Sequence, residues 1–374
     1  MRLRILTLLF LFTQIYAIGQ QTVNGTLIHD GVIRNYMLYL PTGLAAENAP
    51  LVFNLHGYTS NANEQMFYSN MNAVAENNGF AVCYPNGTQD VQGVTHWNAN
   101  LNISTTDDVG FLVALAQELQ EEYQFDAERT YSCGMSNGGF MSYTLACEAP
   151  EVFKAVASVT GTMNSVTFEN CDPSSVVPVL EIHGTADQTV PYDGAEGVIG
   201  WGDFMATDTV IDFWVSLNDC MKLDEMDLDD VNMNDGSTVT SFKYSDCATG
   251  NQVWLYKVHD GGHDWPGTFF GNPNRDFNAS EKIWEFFSLA NTLTNVEEPD
   301  QKEVRIFPNP TDGQIFLQNY EEIQALELLN MNGQMIQNLS PAASLDISTH
   351  NAGVYFLRIQ TKDNQLSLQK VFIF

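Results

Sequence analysis

Two hydrophobic periods alternate along most of this chain. Short, nearly continuous apolar runs, Leu51–Leu55, Phe80–Tyr84, the stretch ending at Tyr131-Ser132-Cys133, Phe153–Thr160, Pro178–His183 and Val253–Val258, have the length of buried strands. Between them lie segments with apolar positions at helical spacing. Asn63 to Asn78 ends at Gly79, and Asp107-Asp108 precedes Val109, Phe111, Leu112, Leu115, Ala116, Leu119 and Tyr123. Phe140 to Cys147 is stopped by Ala149-Pro150, and Trp284–Leu289 closes the series. Strand, helix and strand in succession predict a mostly parallel central sheet with helices on both faces. The alternation in Gly25–Ile28 and Ile33–Leu40, ended by Pro41, predicts antiparallel strands that open the fold.

The pattern changes near residue 291. Residues 291–301 are polar enough for a linker, and from Lys302 onward the runs Val304–Phe307, Gln314–Leu317, Ala325–Leu329, Gly353–Ile359 and Leu368–Phe374 alternate with a period of two. Residues 302–374 are therefore expected to be a small all-β sandwich, and residues 20–290 the larger domain. At the other end, Arg2 and Arg4, the apolar Ile5–Phe12 and the small residues Ala17-Ile18-Gly19 make residues 1–19 a signal peptide, with Gln20 starting the mature chain. No later apolar run reaches the roughly 18 residues needed to span a bilayer.

Composition narrows the partners. Hydrophobic content of 44% with 16% charged residues describes a globular chain. Its 46 acidic against 15 basic residues give a formal net charge of −31, which disfavours nucleic acid and anionic membranes; a solvated acidic surface is the simplest reading. Export makes the six cysteines candidate disulfides, and none lies in a C-x-x-C arrangement.

The candidate chemistry centres on Gly134-Met135-Ser136-Asn137-Gly138, which fits the G-x-S-x-G elbow in which a strand folds sharply into a helix and presents one serine. With 27 glycines in the chain the pattern alone is common, but here a strand precedes it and a helix follows. His56-Gly57-Tyr58 follows an earlier strand, where elbow hydrolases take an oxyanion donor, so the backbone N–H groups of Tyr58 and Asn137 are the expected pair. His56 itself reads as a turn histidine that props this loop rather than as a base. Asp107 and Asp108 read as helix-capping and first-turn charges. Asp187, just beyond a strand's carboxyl end, is the candidate acid, with Asp193 and Asp172 as competitors. His263, in Gly261-Gly262-His263-Asp264-Trp265-Pro266-Gly267, is preferred over His259 as base. Trp97 and Trp265, in loops after strands, are candidate substrate walls. No metal site and no cofactor are expected.

Taken together, His56-Gly57, Asp107-Asp108-Val109-Gly110-Phe111, the elbow with Gly139, His183-Gly184-Thr185-Ala186-Asp187, Val190-Pro191-Tyr192 and Gly261–Gly267 resemble the secreted polyhydroxybutyrate depolymerase and feruloyl esterase family of α/β-hydrolases. The resemblance covers roughly Thr22 to Ala290. It implies carboxylic-ester hydrolysis without a cofactor, a triad of Ser136, Asp187 and His263, and disulfides Cys147–Cys171 and Cys220–Cys247, with Cys83 and Cys133 unpaired. The family often carries a cysteine where this chain has Tyr58. Phe307-Pro308-Asn309-Pro310-Thr311 and Gly353-Val354-Tyr355 resemble the C-terminal sorting domain of type IX secretion, which implies that machinery as a partner and a route through the periplasm to the outside or the cell surface. The expected substrate is a feruloyl or acetyl ester on polysaccharide. The alternatives are a polyhydroxybutyrate-type polyester depolymerase and a non-enzymatic carbohydrate-binding or adhesion protein.

Overall fold

The computed structural model describes residues 19–294 except 249, and residues 304–373 except 308–310, 312, 331–333 and 363–365. The signal-peptide reading, all but its last residue, and most of the linker reading lie outside these residues. The chain divides into two compact units, Met1–Asn295 and Val296–Phe374.

The larger unit is built on one ten-stranded sheet. Its strands are β1 (Gln21–His29), β2 (Val32–Leu40), β3 (Leu51–Leu55), β4 (Ala81–Pro85), β5 (Thr130–Met135), β6 (Val156–Val159), β7 (Val179–Gly184), β8 (Cys220–Asp227), β9 (Thr238–Cys247) and β10 (Val253–His259). They lie in the order β1-β2-β4-β3-β5-β6-β7-β10-β9-β8. The six strands from β4 to β10 are mutually parallel, with an antiparallel pair added at each side. This is the α/β-hydrolase fold, with the mostly parallel sheet that the alternating periods predict. The pair β8–β9 has no counterpart in the sequence reading. β8 is an edge strand rich in charge and exposed along most of its length, so it lacks the one-sided apolar period that marks a strand.

Alternate residues of each strand feed opposite faces. On one face Leu51, Phe53 and Leu55 pack with Phe111, Leu112 and Leu115 of α3 (Asp108–Tyr123) and Phe140, Met141 and Leu145 of α4 (Asn137–Glu148). Further along that face, α6 (Thr207–Leu217), which follows the short α5 (Ser165–Asn170), packs Val210, Ile211 and Trp214 with Val179 and Val253. On the other face, Val52, Val82, Leu180 and Ile182 meet α1 (Ala62–Ser69), α2 (Met71–Asn78) and α7 (Ala279–Thr294). The single helix expected over Asn63–Asn78 is thus two. Asn70 adopts a left-handed conformation, φ 51°, which asparagine tolerates better than most residues, and its N–H closes α1 on Met66 O.

Disulfides join Cys147 to Cys171 and Cys220 to Cys247, while Cys83 and Cys133 are buried free thiols, the pattern that the resemblance implied. In the smaller unit a three-stranded sheet (Arg305–Phe307, Gln314–Gln318, Ser344–Asp346) and a four-stranded sheet (Ile323–Leu329, Met335–Leu339, Gly353–Thr361, Leu366–Ile373) share one core containing Ile315, Leu326, Ile347, Leu357 and Val371. Both sheets are antiparallel.

Candidate active site

Ser136 stands where β5 ends and α4 begins, at φ 52° and ψ −117°, a conformation that L-residues rarely hold. The bend needs a close approach: a Cβ on Gly138 would lie 2.3 Å from Leu55 O, so only glycine lets α4 start this near β3. Ser136 N–H donates to Val159 O at 2.8 Å, which fixes the bend to β6. Among the described residues its hydroxyl has no hydrogen-bond partner, and it faces a cavity of about 670 Å³.

The loop after β3 lies beside this serine. His56 accepts the Gly87 N–H on Nε2 at 3.0 Å and donates from Nδ1 to Gly57 O at 2.7 Å. Burial lowers its pKa to about 4, so the ring is neutral and props the loop. Trp97 ties this loop to the elbow. Its indole N–H donates to His56 O at 3.0 Å, its backbone N–H donates to Asn137 Oδ1 at 2.6 Å, and its carbonyl accepts Asn137 Nδ2–H at 3.0 Å. The next residue is anchored too: Asn98 N–H donates to Asp108 Oδ2 at 2.7 Å, and Asp108 Oδ1 pairs with buried Arg34 at 2.6 Å. Asp107 caps α3 through the Gly110 N–H, as expected, but Asp108 is the buried partner of Arg34 rather than a simple first-turn charge. The backbone N–H groups of Tyr58 and Asn137 have no acceptor among the described residues. The Tyr58 phenol is pinned by a 2.6 Å bond to Asp90 Oδ2, which with burial and the Asp90 charge pushes its pKa up to about 12.

Asp187 and His263 come from the loops after β7 and β10, which are adjacent parallel strands. A Cβ on Gly184 would sit 2.3 Å from Gly261 O, so glycine at the end of β7 lets the two loops touch; Ala186 N–H donates to that same carbonyl at 2.9 Å. Asp187 is buried. Its Oδ1 accepts the N–H groups of Thr189 and Val190 at 2.7 and 2.9 Å, and its Oδ2 accepts from His263 Nδ1 at 2.7 Å. Burial alone would raise this carboxyl, but His263 and the two N–H groups outweigh it and hold it below its ordinary value. His259 instead meets Thr240 Oγ1 at 2.9 Å, and Asp172 and Asp193 are exposed.

Ser136 and His263 line the same cavity, with Tyr58, Met66, Phe67, Tyr68, Met135 and Phe270. A hydroxyl sharing a cavity with an imidazole that a buried carboxylate orients is an arrangement suited to nucleophilic attack on a carbonyl carbon. Trp97 and Trp265 are not among the lining residues. Both indoles are fully buried: Trp97 is the strut just described, and Trp265 donates to Ser280 Oγ at 3.1 Å and packs in the core under the His263 loop. The expectation that these two rings would wall the substrate is therefore corrected, because a large apolar ring in a loop with a buried acceptor at hand is drawn inward. The aromatic lining comes from Tyr58, Phe67, Tyr68 and Phe270, where the rings of Phe67 and Phe270 lie 5.6 Å apart. Sequence reasoning did not single out Phe67 and Tyr68 because Asn63–Asn78 read as one continuous helix with no chemistry on it. The clue was Asn70, whose left-handed turn interrupts that helix.

Among the described residues one trio, His29, Asp30 and Asp107, has ligand atoms within 4.8 Å of one another. It is partly to fully exposed, and Asp107 is already engaged by Gly110 N–H and by His29.

With this geometry in view, the profile of the family described as "Esterase PHB depolymerase" matches residues 34–204, and that of the "Secretion system C-terminal sorting domain" matches residues 305–373. A protein named "Putative esterase NocK" from Nocardia uniformis subsp. tsuyamanensis is 32% identical over 251 residues, 64% of this chain and 73% of that protein. Feruloyl esterase C of Emericella nidulans is 29% identical over 265 residues, 69% of this chain and 84% of that one. Two further relatives are longer proteins, of which the chain spans 25% and 42%. Among solved structures, an acetyl xylan esterase from Aspergillus awamori superposes with a TM-score of 0.51 at 15% identity, covering 72% of this chain and 99% of that one, a likeness of fold.

Proposed function

The chain belongs to the esterase PHB depolymerase family and carries a secretion system C-terminal sorting domain, and from that premise we propose that it is an exported serine esterase acting on feruloyl or acetyl esters of polysaccharides. The observation that carries the reading is Ser136 in a strained bend, lining one cavity with a histidine held 2.7 Å from a buried aspartate. In this mechanism Ser136 Oγ attacks the ester carbon and His263 Nε2 takes its proton. The oxyanion is met by the N–H groups of Tyr58 and Asn137, and Asp187 stabilises the imidazolium. Collapse breaks the bond to the alcohol, which leaves with the proton from His263; water then attacks the acyl-enzyme by the same route and releases the acid. Nothing in this sequence of steps calls for a cofactor.

The aromatic acyl reading is supported by Phe67, Tyr68 and Phe270 in the cavity, since flat rings favour an aromatic acyl group. The polyester reading has one observation of its own: Phe269, beside Phe270, is 78% exposed and could lie on a polymer surface. Specificity constants for methyl ferulate, a soluble acetylated xylo-oligosaccharide and a hydroxybutyrate trimer decide between them. The ferulate or the acetylated sugar is expected to lead, and a clear lead for the trimer reverses the assignment. Export through the periplasm by the type IX machinery is the role proposed for residues 302–374, joined by residues 291–301 to a catalytic domain spanning 20–290.

A further inference from the structure

Beside Asp187, near the same Oδ2 that meets His263, lies a second histidine that the proposed mechanism does not use. His183, at the end of β7, is fully buried. Its Nδ1 is 3.0 Å from Glu181 Oε1, and its Nε2 is 2.8 Å from Val190 O and 3.6 Å from Asp187 Oδ2. Every polar atom facing the ring is thus an oxygen with lone pairs. Val190 O can only accept, so Nε2 carries a proton. Burial pushes the Glu181 carboxyl up, but its Oε2 already receives the Tyr143 hydroxyl from α4 at 2.9 Å, which favours the carboxylate, and Val190 O and Asp187 Oδ2 also face the ring, so the proton between Glu181 and Nδ1 is placed on the nitrogen. Val190 serves both partners: its carbonyl takes the His183 proton while its N–H holds Asp187 Oδ1.

We propose that His183 is a buried imidazolium, held by Glu181, that acts as a positioning residue: it fixes the Asp187 loop through Val190 and offsets part of the charge that Asp187 presents to His263. The inference rests on the reading of His263 as the base, though the charge state of His183 does not. A cation 3.6 Å from the carboxylate reduces the negative field that Asp187 presents to the His263 ring. Burial by itself would lower the His183 pKa, but Glu181, Val190 O and Asp187 outweigh it and raise it. The other titratable groups near the pair are Tyr143 from α4 and Tyr192, whose ring stands 5.7 Å from that of His183 and whose hydroxyl donates to Asp208; those near His263 are Asp187, the next residue Asp264, and Tyr58, Glu64 and Tyr68 in the same cavity.

Two measurements test this. Nitrogen-edited NMR of the histidine rings in the intact protein at pH 7.5 should show one imidazole protonated on both nitrogens that persists in Ser136→Ala and disappears in His183→Gln. A neutral His183 overturns the proposal, whatever the enzyme's activity. The second is the pH profile of kcat/KM on p-nitrophenyl acetate. Glu181→Gln and His183→Gln, each retaining a donor or acceptor in place, should move the acid limb to higher pH by about half a unit or more, with KM within about twofold of wild type. A uniform loss of kcat with the acid limb unmoved reduces the pair to a structural role and also overturns the proposal. An inactive wild type would fail the esterase reading instead, and leaves the NMR result standing on its own.

Discussion

Replacing Trp97 by phenylalanine separates two roles for that residue. The change removes one donor, the indole N–H that holds His56 O at 3.0 Å, inside a site with no solvent exposure. A buried carbonyl left without its partner costs about 1–3 kcal/mol. The backbone bonds from Trp97 to the Asn137 side chain stay, so α4 keeps its place and the loss falls on the loop that carries Tyr58. If the whole cost is felt where negative charge develops, at about 1.4 kcal/mol per tenfold, kcat falls by roughly 5- to 150-fold. That is less than the roughly 100- to 1,000-fold expected for deleting an oxyanion donor outright, as a loosened donor should be. KM should change by no more than about twofold, because the ring lies outside the cavity. Steady-state kinetics on p-nitrophenyl acetate and a thermal melt of the same protein make the assay. A rise in KM with kcat intact would restore the ring to the substrate wall. A falling melting temperature with unchanged kcat would show that Trp97 stabilises the fold without aligning the oxyanion loop.

Ser136→Ala should abolish ester hydrolysis with the fold retained, and His263→Ala should cost about as much without adding to it; if His259→Ala is the more damaging, the base is misassigned. Deleting residues 303–374 should leave turnover of small esters within about twofold while the protein accumulates in the periplasm, and a large fall in turnover of the purified enzyme would show that the tail completes the site. Because the Asp187 carboxyl is held below its ordinary value, it favours the folded state above the unfolded carboxyl's pKa of about 3.9 and loses that contribution as pH falls through the folded value. Urea melts of wild type and Asp187→Asn should therefore converge on acidification from about pH 5 to pH 3, and a constant gap across that range would mean that the carboxylate's charge is not what the fold uses.

What could be read from the chain was what is set by backbone geometry. Gly134 and Gly138 flank a serine that must bend, and Asp187 and His263 each follow a run with the length of a parallel strand, so the α/β-hydrolase sheet and the order of these three residues were legible. Their distances were not, because β7 and β10 are neighbours only through a crossover of nearly 70 residues that includes the unforeseen β8 and β9. Those strands escaped because charge on an exposed edge hides the period of two. The cavity walls escaped for a different reason. Whether an aromatic ring is core or surface depends on what else competes for the space, and Trp97 and Trp265 each found a buried acceptor, whereas Phe67 was turned outward by a helix that stops at Asn70. The Glu181–His183 pair lay in a run that reads as an ordinary buried strand, and only the tertiary structure shows that its polar atoms all face one another.

The broken helix at Asn70 makes one segment answerable to two masters. Tyr68 lines the cavity, yet its carbonyl also accepts the Thr268 hydroxyl at 2.9 Å, and the neighbouring Ser69 carbonyl accepts from Ser280, whose hydroxyl in turn receives the indole of Trp265, two residues beyond His263. The cavity wall and the footing under the His263 loop are therefore the same stretch of backbone. On the proposed function, substrate preference can drift only through side chains such as Phe67 and Phe270, because an insertion or deletion between Ala62 and Asn70 would disturb the His263 loop as well.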